Sequence, residues 1–412
     1  MKRIVVLFAF AVLAASLASC GETDPSGADA RKDIRLSTKQ TGFVEGGNDF
    51  AFRFFAAVDA KTEKDYVISP LSMQFLLGML LNGAKGETAE EICKVLGYGS
   101  GQTAAVNEFC RLMLDELPGL DSRTKVSLAD AIFVNKDYPM ESSFRKTVAR
   151  WYDATARELD LTKADDALRQ INKWGSDHTD GLIPAILEDV DPNMLAYLLN
   201  AIYFKGIWTN TFQKDLTSEE PFYLESGATR KVQMMQKGDK VLYGINDMCQ
   251  AVCLPYGNGA YSMYVLLPVG KTSVGELVRS LDNESWRQMT SAMSEFEVSV
   301  WMPRFETKYR EKLNELLTAM GMGAAFNPAR ADFTNMFSTG GYLDFVLQEA
   351  VVKVDEEGAE AAAVSVAGIR KNGSMAGEKV AAFRADHPFV YLITETSTGT
   401  ILFAGKYAGI DK

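Results

Sequence analysis

Histidine is nearly absent. The chain carries two in 412 residues, His178 and His387, so imidazole-dependent nucleophile activation and histidine-rich zinc sites have little to draw on. The GxSxG, HExxH and GxxxxGKS/T patterns are missing too, which removes the usual marks of acyl transfer, zinc hydrolysis and nucleotide binding. Paired carboxylates have no fixed spacing, so a carboxylate-based enzyme is the one catalytic class a motif search leaves open. Basic residues are outnumbered, 43 against 54 acidic, for a formal charge of −11. Nucleic acid is therefore not an expected partner, because neutralising phosphates takes a basic surface. Cysteine is scarce as well, five in all. Cys249 and Cys253 lie in an alternating, strand-like stretch at neither the CxxC nor a zinc spacing. With Cys93 and Cys110 they read as small buried hydrophobes, export would permit disulfides whose pairing the sequence does not give, and neither metal nor cofactor is expected.

No long membrane span is present near the start. The apolar run at residues 4–17 follows Lys2 and Arg3 and falls short of the roughly 18 residues a span needs. Leu17-Ala18-Ser19-Cys20 resembles the box at which bacterial signal peptides are cut before a lipidated cysteine. The resemblance implies a signal peptide at 1–19, lipidation at Cys20, and an exported bacterial lipoprotein. Its expected place is the outer membrane, on the periplasmic face or the cell surface. An ordinary secretory signal peptide or a short anchor is the alternative. Residues 20–43 are polar and read as a flexible tether, which leaves 44–412 for a single large domain. At 47% hydrophobic residues this part can bury a large core, although length alone would allow two or three domains.

What is present is concentrated in residues 348–386. This stretch opens as a strand with Val351, Val352 and Val354, passes Asp355, Glu356 and Glu357, and then becomes a run of small residues. With a period of two, one face after Gly358 carries Ala359, Ala361, Ala363, Ser365 and Ala367, all small; the other carries Glu360, Ala362, Val364, Val366 and Gly368. Such a segment could enter between existing strands without displacing packed atoms. A flexible linker has the same composition.

VDEEGAEAAAVS resembles the hinge of the serpin family's reactive loop, and ADHPFVYLI with ILFAGKY resembles the strands that close a serpin chain. Further segments agree in order. ISPLSMQFLLGMLLNGAKG resembles the family's central helix, with Ser69 as N-cap, Pro70 in the first turn and Gly83 as a stop. Thr88 with Glu91 reads as a capping box for the next helix, and Phe50, Phe54 and Val58 share a helical face. MLAYLLNAIYFKGIW fits a central strand, with Asn200 needing partners if buried. The likeness covers residues 50–407.

The resemblance implies an α+β serpin fold, with three β-sheets, about eight or nine helices and an exposed reactive loop. It implies a suicide inhibitor, not an enzyme, acting as a monomer on trypsin-, elastase- or subtilisin-like serine proteases and on some cysteine proteases. Glu356, Gly358, Ala359, Ala361, Ala362 and Ala363 would form the hinge. Ser69, Ser72, Asn200, Trp208 and Gln348 would hold the main sheet shut; Gln348 stands where many serpins have a histidine, so no histidine-linked pH dependence of sheet opening is expected. The reactive bond would lie at Lys371, Asn372 or Gly373, with Arg370 and Met375 as alternatives. A non-inhibitory binding or carrier protein of the same fold is the other reading.

Overall fold

The computed structural model describes residues 30–358 and 379–410. Nine α-helices occur among them: α1 Thr38–Asp59, α2 Pro70–Gly83, α3 Gly86–Val95, α4 Thr103–Glu116, α5 Ser142–Tyr152, α6 Ala164–His178, α7 Val274–Ser280, α8 Asn283–Ala292 and α9 Asn314–Ala319. The first strands are β1 Tyr66–Ile68, β2 Thr124–Asn135, β3 Thr155–Leu159, β4 Ala196–Gly206 and β5 Ser218–Tyr223. β6 Thr229–Ile245, β7 Cys249–Tyr256, β8 Tyr261–Pro268, β9 Ser294–Pro303 and β10 Phe305–Lys312 follow. β11 Leu347–Val354, β12 Val380–Arg384, β13 Phe389–Glu395 and β14 Ile401–Tyr407 complete the set.

The strands form three hydrogen-bonded sheets. Nine belong to one, ordered β1-β14-β13-β8-β7-β6-β9-β12 with β5 on β6; the others are β3-β2-β4 and β10-β11. β13 and β14 are buried at every residue, their mostly apolar runs including the buried polar residues Thr394, Glu395 and Lys406. β11 alternates instead: Val352 and Val354 are buried and Lys353 is exposed.

Two helices position the three- and two-stranded sheets. α2 is apolar on every side and buried at every residue except Asn82, so it runs through the core behind β4. Ser69 caps it, its hydroxyl accepting from Ser72 N at 3.2 Å. α6 lies on the opposite face, where Ile171 and Trp174 pack with Ala131, Phe133, Leu199 and Ala201 of β2 and β4.

Two boundaries differ from the sequence reading. α1 begins at Thr38, inside the stretch assigned to the tether, because Ser37 and Gln40 form a reciprocal capping box and Phe43 is buried. Thr88 and Glu91 do not cap α3. That helix starts at Gly86, while Thr88 Oγ1 accepts from Asp332 N (3.0 Å) and Glu91 from Ala324 N (2.6 Å). Both side chains are spent on tertiary contacts far away in sequence. All four described cysteines are buried and free, and burial pushes the Cys110 and Cys249 thiols up to about 12.

Candidate functional site

β4 and β11 face each other as the inner edges of two separate sheets. They are joined at the top by one antiparallel bridge, Ile207 to Gly358. Lower down, a cavity of about 80 Å³ separates them, lined by Leu198, Asn200, Leu347 and Gln348 with Ser72 and Leu76 of α2. What would be one sheet is thus parted along its middle.

The top closure is built by the acidic turn after β11. Asp355 N donates to Gly358 O (2.9 Å), and Asp355 Oδ1 accepts from Glu357 N (2.9 Å). The turn is stitched to the end of β4 by Trp208 N to Glu357 O and Phe212 N to Glu356 O, each 2.8 Å. Trp208 is fully buried, stacks on Tyr256 at 4.2 Å between centroids, and donates Nε1 to Asp355 O (3.0 Å). Gly358 has φ +151°, and a Cβ there would stand 1.9 Å from Gly206 O, so no other residue fits.

Glu356 is 3% exposed yet ionised, bonded to Arg304 (2.6 Å) and Thr217 (2.7 Å). Burial alone would raise its carboxyl; these two donors and the Arg304 charge outweigh it and hold it below the usual glutamate value. Glu357 pairs with Lys214. Beneath Trp208 and Phe212 lies a buried ion pair, Lys237 with Asp239 at 3.2 Å, the ammonium 4.8 Å from the Phe212 ring centre. Burial pushes Lys237 down, opposed by Asp239.

A second polar cluster lies behind the middle of the gap. Ser69 Oγ donates to Leu402 O (2.9 Å), and Gln348 grips the Ser69 backbone through Nε2 to O (2.8 Å) and Oε1 from N (3.3 Å). Ser72 Oγ donates to Asn200 Oδ1, and Asn200 Nδ2 donates to Asp130 Oδ1 (2.8 Å). The chain therefore links β11, α2, β14, β4 and β2. Neither histidine belongs to it: His178 stacks on Trp174, and His387 contacts Asp386 and Pro268.

These geometries bring Ser69, Ser72, Asn200 and Gln348 together, with Trp208, Glu356 and Gly358 at the top. Ala359, Ala361, Ala362, Ala363, Arg370, Lys371, Asn372, Gly373, Met375 and Cys20 lie outside the described residues. Arg304, Thr217, Lys237, Asp239, Tyr256 and Asp130 went unnoticed in the sequence. Arg304, Thr217, Tyr256 and Asp130 act on partners remote in sequence, and Lys237 and Asp239 on each other beneath Trp208 and Phe212; Asp130 alone left a trace, an acid within the mostly apolar stretch at 128–134.

A family profile described as Serpin (serine protease inhibitor) matches residues 45–409. The chain belongs to the serpin family. This serpin is 32% identical to human Serpin B11 over 387 residues, covering 87% of this chain and 97% of that one. It is 33% identical over 371 residues to leukocyte elastase inhibitor of Xenopus laevis, again covering 87% and 97%. Among solved structures, the native state of the thermophilic serpin tengpin superposes with a TM-score of 0.82 at 27% identity, over 92% of this chain and 97% of the other. The fold is that of the family: one mixed α/β domain with three sheets.

Proposed function

We propose that this serpin is a suicide inhibitor of serine proteases, with cysteine proteases as a second class, which traps its target by inserting the cleaved loop between β4 and β11. The observation that carries this reading is an agreement of register. Continued from the Ile207–Gly358 bridge, an inserting strand pairs Ala359 with Gly206, Ala361 with Phe204, Ala363 with Ile202 and Ser365 with Asn200. Continued from the Asp355–Gly358 turn, the same residues meet Val354, Val352, Ala350 and Gln348. On both flanks these partners face the main core or the polar cluster. The all-small face thus goes inward from either side, where Leu198 and Asn200 are now only half-buried.

A target protease attacks the exposed tip and forms its acyl-enzyme. Cleavage frees the hinge end, and a strand of about 14 residues, near 45 Å long, carries the protease down the sheet. A dozen or so new backbone hydrogen bonds at about 1 kcal/mol each, with relief of the parted sheet, exceed what distorting the oxyanion hole requires. Deacylation then fails.

Lys371 and Asn372 are the residues proposed to precede the cut, with Arg370 and Met375 as alternatives, since a basic tip suits a trypsin-like pocket. The N-terminal leader and Cys20 are read as a lipid anchor that holds a monomer on the bacterial outer membrane. The protein without residues 1–20 is to be incubated with trypsin, elastase, subtilisin and papain, and then run on denaturing gels. An SDS-stable band at the summed mass, with cleavage near Lys371, is expected. Clean cleavage with no covalent band for any of the four would favour the binding or carrier reading.

In the proposed register Glu360 would face outward, between Lys205 of β4 and Lys353 of β11, neither of which makes an ion pair among the described residues. Lys205→Glu with Lys353→Glu is expected to slow insertion several-fold at low ionic strength and less at high salt, measured by stopped-flow trapping of trypsin. An unchanged, salt-independent rate would show that the register is wrong.

A further inference from the structure

The polar cluster behind the gap ends in a carboxyl group that the closure of the sheet does not need as an anion. Asp130 stands on β2 opposite Asn200, and its side chain is buried at 3% exposure. Oδ1 accepts from Asn200 Nδ2 at 2.8 Å, while Oδ2 accepts no hydrogen bond among the described residues. The groups that act on it are Asn200 from β4, Cys110 from α4, and Tyr152 and Asp153 at the end of α5. Burial keeps the Cys110 thiol and the Tyr152 phenol neutral, and Asp153 adds a like charge. None of these groups is a cation.

We propose that Asp130 makes the closed sheet sensitive to pH: the buried site behind the closed gap accommodates its neutral carboxyl, and its anion favours a parted sheet. The neutral acid sits in the core without a counter-charge. The anion has one oxygen without a donor in a place closed to water, and a buried acceptor left in that state is costly. Parting β4 from β11 opens the cavity that Asn200 lines, and water or an incoming strand can then supply donors to this chain.

Burial pushes the Asp130 carboxyl up to about 7 from its ordinary 3.8, with the Asn200 hydrogen bond opposing and Asp153 adding to the rise. Between these values the folded chain holds a proton that the unfolded chain has released. The group's stabilisation is therefore full below the ordinary value and is lost as pH rises through about 7. This direction is independent of the two histidines. The effect on closed-sheet stability stands apart from inhibition; its extension to the rate of loop insertion rests on the inhibitory reading above.

The test compares wild type with Asp130→Asn, whose amide keeps an acceptor for Asn200 and cannot ionise. From about pH 5.5 to 8.5 the wild-type thermal midpoint is expected to fall by about 2–3 °C, levelling off above neutrality, while the variant stays flat over the same range. Uptake of a synthetic peptide spanning residues 359–369 should accelerate with rising pH in wild type alone. Carbon-13 titration of the wild-type aspartate carboxyls gives a readout that does not depend on the variant folding; one resonance with a midpoint near neutrality is expected. Equal slopes in the two proteins, or aspartates that all titrate in the ordinary acid range, overturn the proposal. A pH-dependent midpoint with no covalent complex in the gel assay would leave the switch standing and reject inhibition.

Discussion

Ala359→Arg is expected to turn the inhibitor into a substrate, with the tip still cut and stable covalent complexes reduced by about 100-fold. The reason is the place where insertion starts. In the proposed register Ala359 is the first residue past the fixed Gly358, and it enters between Gly206 and Val354. Gly206 already lies so close to Tyr256 that a Cβ there would come within 2.8 Å of the ring. Val354 is fully buried. An arginine in this slot must lose its hydration with no free partner; of the three acids in the turn, Glu356 and Glu357 are already paired with Arg304 and Lys214, and Asp355 Oδ1 accepts from the Glu357 and Gly358 amides. Inhibition is a race between insertion and deacylation, and each 1.4 kcal/mol added to one barrier shifts the outcome tenfold. A burial cost of about 3 kcal/mol therefore gives the stated loss. Titrating trypsin with the variant and counting the inhibitor consumed per enzyme inactivated measures it directly. Wild-type stoichiometry would falsify the register and move the start of insertion elsewhere.

Gly358 was singled out from local chemistry, a glycine before a period-two run of alanine and serine, and the geometry adds why it admits no side chain; the alanines that follow lie outside the described residues. Ser69 was legible for the same reason: an N-cap before proline announces itself within four residues. Asn200 could be singled out as polar in an apolar strand, but its partners could not. Ser72 and Asp130 lie 128 and 70 residues away, and only the stacking of α2 and β2 on β4 brings them in. The same distance hid Arg304 from Glu356, 52 residues apart. Thr88 and Glu91 failed in the opposite direction, since a valid local capping pattern lost to contacts with Asp332 and Ala324. The α1 boundary failed because Ser37 and Gln40 look like tether residues until Phe43 is seen to be buried. Local backbone chemistry is written in adjacent residues; the polar clusters that hold the sheet are written in pairs that only the fold makes neighbours.

Glu356→Lys is expected to weaken the top closure by about 3 kcal/mol, seen as a fall in the thermal midpoint of about 4 °C. The substitution removes the acceptor of both Arg304 and Thr217 and puts a second cation against Arg304, where the side chain is 3% exposed. Arg304 itself is about half exposed, so the loss lies toward the lower end for a buried pair. The backbone of the same residue receives Phe212 N, and a displaced turn would release that bond as well. Glu356→Gln isolates the charge, because it keeps an acceptor for Thr217 and should cost about half as much. Placing Arg304→Glu in the Glu356→Lys background restores opposite charges and should recover at least about 1 kcal/mol; with no recovery, the damage comes from the turn and not from the pair. Acid probes the same contact. Since the folded Glu356 carboxyl is held below its ordinary value, its stabilisation is present above that value and is lost as pH falls through the lowered one. Asp130 runs the other way, losing its contribution as pH rises through about 7. Acid therefore loosens the top of the gap while neutral to basic solution loosens its middle, and the closed sheet is most stable between the two titrations.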